Sequence, residues 1–164
     1  MYKLLNVWVK SPVLKGADLL IASDCLPNIN KELFQEISEG KIVLLACPEE
    51  EGPIHYGKIA TIIRSSQPRT VTIVTIDGSP HCFTLHASLN LAEYLLGTKL
   101  SKKHYVVVDG RELVEITSNA VRLARYLSII DKVLKQHPEL LNELSKHSLE
   151  YTLLQKTELR TQNT

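Results

Sequence analysis

Three cysteines, Cys25, Cys47 and Cys82, each follow a short apolar run: ADLLIASDC (17–25), KIVLLAC (41–47) and RTVTIVTIDGSPHC (69–82). Thiolates are soft ligands for zinc and iron-sulfur clusters, and a thiol at a helix start or beside a base is a nucleophile. If the three runs are parallel strands of one sheet, their thiols gather at its carboxyl rim, where open α/β sheets bind ligands. Closed metal sites want four protein ligands, and the chain offers three sulfurs. His81, adjacent to Cys82, is the candidate fourth ligand; His86, one helical turn on, and Asp24, beside Cys25, are alternatives.

The metal reading therefore places an iron-sulfur cluster or zinc on Cys25, Cys47, Cys82 and His81. A second reading makes Cys82 the nucleophile of a cysteine-dependent enzyme, because unpaired N–H groups at a helix start stabilise a thiolate, with His81 or His86 as base. In a third the thiols are packed as small hydrophobes and the chain is a non-catalytic adaptor. No CxxC pair, GxGxxG or GxxxxGK[ST] occurs, and Glu49, Glu50 and Glu51 read as a solvated loop.

The elements that must position these residues follow from periodicity. YKLLNVWVKS suggests an initial strand or extended lead-in, and the run after Gly16 begins the first firm strand. Asn30 caps a helix carrying Leu33, Phe34 and Ile37, which Gly40 ends. KIVLLAC has the continuous apolar character of a strand buried on both faces, and Pro48 stops it. A helix over about 53–65 follows, then TVTIVTI as a β-branched strand, then a helix from Cys82 to Leu96 closed by Gly97. HYVVVDGRELVEI is a hairpin turning at Asp109-Gly110. A helix from Thr117 or Ser118 to about 137 and another over about 139–157 complete the pattern, with RTQNT as a frayed end.

The fold class is thus α/β: a three-layer sandwich with a mostly parallel sheet, Rossmann-like or flavodoxin-like, with an edge hairpin and C-terminal helices. The expected organisation is an α/β domain over 1–137 and a C-terminal helical extension over 138–164 packed on it. At 164 residues, 44% hydrophobic and 23% charged, the chain has ordinary globular composition, and 5% aromatic content makes the core aliphatic. A net charge of +1 without a basic stripe argues against nucleic acid, and no apolar run is long enough for a bilayer. An odd cysteine count without an export signal points to reduced thiols in the cytoplasm, and the leucine-rich terminal helices offer a homo-oligomer contact.

The segments ADLLIASDC, KIVLLACP, TVTIVTIDGSPHC and HYVVVDGRELVEI resemble a group of small iron-sulfur proteins from anaerobic prokaryotes. In that family ferredoxin-type cysteine runs commonly precede an α/β domain with Asp-Cys after its first strand, Cys-Pro after the next and Pro-Cys-Cys after the third. The matching positions here are Asp24-Cys25, Cys47-Pro48 and Pro80-His81-Cys82, within a resemblance that covers residues 17–116. The ferredoxin-type run is missing, and the paired cysteine is reduced to His81-Cys82. The resemblance implies a metal or iron-sulfur binding protein with a redox or electron-transfer accessory role and a redox partner protein.

Overall fold

The structure, a computed structural model, describes residues 1–161. By compactness the chain divides into two units, Met1–Arg122 and the residues from Leu123 onward. In the first unit the elements run β1 (Tyr2–Lys3), β2 (Asp18–Ser23), α1 (Leu26–Ile29), α2 (Lys31–Ser38), β3 (Ile42–Ala46), α3 (Pro48–Glu51), α4 (His55–Ser66), β4 (Thr70–Ile76), α5 (Pro80–Leu96), β5 (Lys102–Val108) and β6 (Glu112–Ile116). Helix α6 (Ser118–Leu123) spans the division, and α7 (Leu127–Gln136), α8 (Leu140–His147) and α9 (Leu149–Thr161) follow it.

Among the described residues six strands form one sheet in the order β1-β3-β2-β4-β5-β6, parallel throughout except for β6. The chain leaves β2 in one direction to make β3, then returns past it to make β4 and β5. Right-handed crossovers in opposite directions put their helices on opposite faces. Accordingly Leu19 and Ile21 of β2 pack with α4 and α5, while Leu20 and Ala22 pack with Leu26, Leu33, Phe34 and Ile37 of α1 and α2. The expected three-layer α/β architecture, its parallel strands and its edge hairpin are all present.

The hairpin turn has positive φ at both Asp109 (49°) and Gly110 (71°), the two-residue geometry that matches strand twist. Its tip reaches the loop after β2: Asn30 accepts from Leu33 N through Oδ1, capping α2, and donates through Nδ2 to the Gly110 carbonyl at 3.2 Å. A Cβ on Gly110 would lie 2.9 Å from Ile29 Cγ2. The turn thus holds the segment that follows Cys25.

The lead-in contributes only the short β1, parallel to β3, although Leu4 and Val7 are buried. The helix expected over 53–65 is α4 preceded by α3 and a 3-10 turn at Gly52–Ile54. The two long C-terminal helices are each broken. No glycine or proline marks the first break, at 124–126. Ser148 makes the second, taking an extended conformation and accepting from Tyr151 N at 3.2 Å to start α9. Of the expected frayed RTQNT end, Arg160 and Thr161 close α9 and positions 162–164 lie outside the described residues.

One polar seam crosses the core. Thr75 Oγ1 lies 2.8 Å from His86 Nε2, and His86 Nδ1 lies 3.0 Å from His104 Nδ1, so one ring donates and the other accepts. Both imidazoles are 2% exposed, and His104 Nε2 has no partner among the described residues. Burial holds both neutral: His86 is lowered to about 3, with His104 adding, and His104 to about 4, with Lys102 and Arg122 adding and Glu93 opposing.

Two predictions follow from these contacts. Gly110→Ala should cost about 1–2 kcal/mol from the left-handed backbone alone and speed amide exchange over 26–30; unchanged stability and exchange would show that the turn does not hold that loop. Because the folded histidines sit below their ordinary value of 6.5, the unfolded chain binds more protons as pH falls. Stability should be full above pH 6.5 and decline toward pH 4, by at most about 1.4 kcal/mol per group per pH unit. Denaturant titrations at pH 7 and 5 should show a smaller decline in His104→Phe; an identical decline would contradict this account.

Candidate functional site

The strand order reverses at β2, and the crevice outside the carboxyl ends of β2 and β4 is the place where such a sheet takes a ligand. All three cysteines stand at helix starts along that rim. Cys25 precedes α1, Cys47 precedes α3 with Pro48 in its first turn, and Cys82 is the third residue of α5. Asp24 N donates to the Ala46 carbonyl at 3.0 Å, so Cys25 and Cys47 leave adjacent strands at the same level. Cys82 is drawn in from α5: Ser79 caps that helix by accepting from Cys82 N at 3.4 Å, and the Cys82 thiol lies 3.1 Å from Ser23 Oγ at the end of β2.

The thiols are graded in burial, with Cys25 exposed, Cys47 half-buried and Cys82 buried. Although Cys25 lies at the surface, loss of water on its protein side pushes its thiol up, the Cys82 thiolate adds to the rise, and Cys47 and Asp24 add further. As the side chains stand, no three His, Cys, Asp or Glu groups among the described residues are placed to hold a metal ion.

The candidate fourth ligands are scattered. His81 is on the rim but half exposed, with Nδ1 3.6 Å from Glu49 Oε2. His86 is committed to Thr75 and His104 in the core, where it can serve neither as ligand nor as base to Cys82. Asp24 is ion-paired to Lys3.

Three rim residues escaped the sequence reading. Ser23 looked like the last residue of an apolar strand, and its contact with Cys82 depends on how α5 packs. Lys3 arrives through β1, which places it opposite Leu45 of β3. The third is Glu51: the three glutamates are not a solvated loop but most of helix α3, and Glu51 turns inward. Its Oε2 is buried with no hydrogen-bond partner among the described residues, burial raises its pKa, the Cys47 backbone N–H and Lys3 oppose the rise, and Asp24 and Glu50 reinforce it. The signal for that helix was present, since Pro48 followed by acidic residues is a first-turn pattern.

The first strand-to-helix turn, Ser23-Asp24-Cys25-Leu26-Pro27, contains no glycine, so the backbone cradle that doubly wound folds use for phosphate is absent from that turn. A doubly wound α/β domain with thiols at its switch point is the class that these features define. The chain belongs to the Rossmann-like domain family, whose model matches residues 11–162. It is similar to an uncharacterized protein of Archaeoglobus fulgidus, 28% identical over 106 residues that cover 64% of this chain and 74% of that protein. No solved structure gives a significant match. Neither match is described as an iron-sulfur protein, so what is shared with the expected family is the α/β architecture.

The burial gradient predicts that iodoacetamide modifies Cys25 first and Cys82 last. Coupling to Cys82 predicts that the pH profile of Cys25 alkylation lies above that of free cysteine and moves down in Cys82→Ser. A Cys25 profile indifferent to Cys82→Ser would show that the two thiols do not interact.

Proposed function

We propose that the carboxyl rim takes up a thiophilic metal centre, zinc or an iron-sulfur cluster, through Cys25, Cys47 and Cys82. The observation that supports this reading is the placement of the three thiols at helix starts along one carboxyl rim, Cys25 and Cys47 after the adjacent strands β2 and β3, and Cys82 drawn from α5 to Ser23 at the end of β2. A soft cation is the partner that such thiolates favour. Binding then requires side-chain rotation to bring the sulfurs to about 2.3 Å from one zinc. A redox or electron-transfer accessory role, with a redox partner protein, follows where the centre is an iron-sulfur cluster.

The reading of Cys82 as a catalytic nucleophile has less behind it. Its residue is 7% exposed, its sulfur faces Ser23, and neither His81 nor His86 is placed to take its proton.

Anaerobic purification followed by metal analysis and visible absorption tests the proposal. The expected result is bound zinc, or a brown protein with sulfur-to-iron absorption, and a loss of at least about tenfold in metal affinity on replacing any one cysteine by serine. Reduced protein that is colourless and takes up no added zinc would overturn it.

A further inference from the structure

We infer that a pocket at the amino end of the sheet, opposite the thiol rim, binds a small monocarboxylate with an apolar body. This site does not depend on the metal reading.

The pocket lies where α4 and α5 end and β4 and β5 begin, and its volume is about 430 Å³. Small-molecule sites span about 300–1,000 Å³. Segments 67–69 and 98–101 form its two walls. Hydrogen bonds fix both: Arg69 N donates to the Ala17 carbonyl and Val71 N to the Ser101 carbonyl, each at 2.9 Å, and Leu100 N donates to Glu93 Oε1 at 3.0 Å. The apolar part of the lining is Ile63, Leu96 and Leu100, which belong to or pack on the core shared with these helices.

The charged part of the lining has one sign. Arg64, Arg69 and Lys99 border the pocket, and no Asp or Glu among the described residues does. Arg69 is engaged by Asp18, with Nε 2.9 Å from Oδ1. Arg64 and Lys99 have no carboxylate partner among the described residues. Arg64 stands in the last turn of α4, so part of its charge answers the helix end. Each of the two helix ends is worth about half a negative charge, and setting them and Asp18 against the cations leaves roughly one positive charge. That residue of charge suits a monoanion.

Gln67 is an independent sign of a ligand. It caps α4 in the left-handed region, at φ 47° and ψ 59°, where glycine is the ordinary residue. A side chain kept there against its steric cost calls for a use, and such positions cluster at ligand clamps. Gln67 lines the pocket, and its amide bonds to no other described residue, which leaves it able to donate to an anion. A guanidinium matches a carboxylate through two parallel N–H groups, so Arg64 takes the carboxylate, with Lys99 and Gln67 as further donors. The apolar body then lies against Ile63, Leu96 and Leu100.

Nitrogen-15 NMR titration of the full chain with phenylacetate tests the inference, with benzyl alcohol as the body without the charge and inorganic phosphate as an anion without the body. Phenylacetate should shift the amides of 63–69 and 96–101 saturably, leave those of Cys25, Cys47 and Cys82 in place, and bind at least about tenfold more tightly than either control. Arg64→Ala and Lys99→Ala should each weaken it about fivefold. Gln67→Gly should weaken it about threefold yet raise the melting temperature, since glycine relieves the left-handed backbone. The inference is overturned if phenylacetate shifts none of these amides, if either control binds as tightly, or if the Arg64, Lys99 and Gln67 variants bind as wild type does.

Discussion

Strand β2 exchanges ladder hydrogen bonds with β3 on one side and β4 on the other, in registers that pair Ser23 with Ala46 and Ala22 with Val74. Because the crossover from β2 to β3 and the one from β3 to β4 run in opposite directions, the loops after these three strands are neighbours without touching in sequence. The two apolar clusters hold that arrangement from both faces, with Leu19 and Ile21 buried on one side and Leu20 and Ala22 on the other. A slip of one residue in β2 would exchange its two faces and carry the end of the strand away from Cys82. The thiol rim is therefore a property of the register, and the register is a property of the core.

Helix α5 links the rim to the interior. Cys82 and His86 are four residues apart and meet Ser23 and Thr75, the polar residues near the ends of the two central strands. Leu85 and Leu89 on the same helix are fully buried in the apolar cluster. One helix thus carries an apolar stripe that fixes its position and a polar stripe that runs from the thiol to the paired imidazoles. His104, reached from β5, ends that stripe at a nitrogen with no partner among the described residues.

The strands were legible because their signals are local and strong. TVTIVTI is β4 residue for residue, and the apolar runs at 17–23 and 41–47 mark β2 and β3 to within a residue or so. Asn30, Pro48 and Asp109-Gly110 act through their own backbone geometry, so their roles could be read without tertiary information. The placement of cysteines beyond strand ends was readable for the same reason. What could not be read is which side chains turn toward one another across the rim. His86 looks like a ligand one turn from Cys82 until β5 brings His104 against it, and Glu51 looks solvated until α3 buries one of its carboxyl oxygens. The break before α7 has no glycine, proline or cap to announce it.

The contact between Asn30 and Gly110 spans 80 residues of sequence. Closing a loop of that size costs entropy before the contact returns anything, so the bond forms only after the intervening strands have docked and the hairpin has turned. On a chain emerging from the ribosome, the loop after Cys25 therefore waits for the 80 residues between Asn30 and Gly110 to be made. The wall of the crevice beside Cys25 is thus set by an element made late, the β5–β6 hairpin, and not by the strand that precedes it.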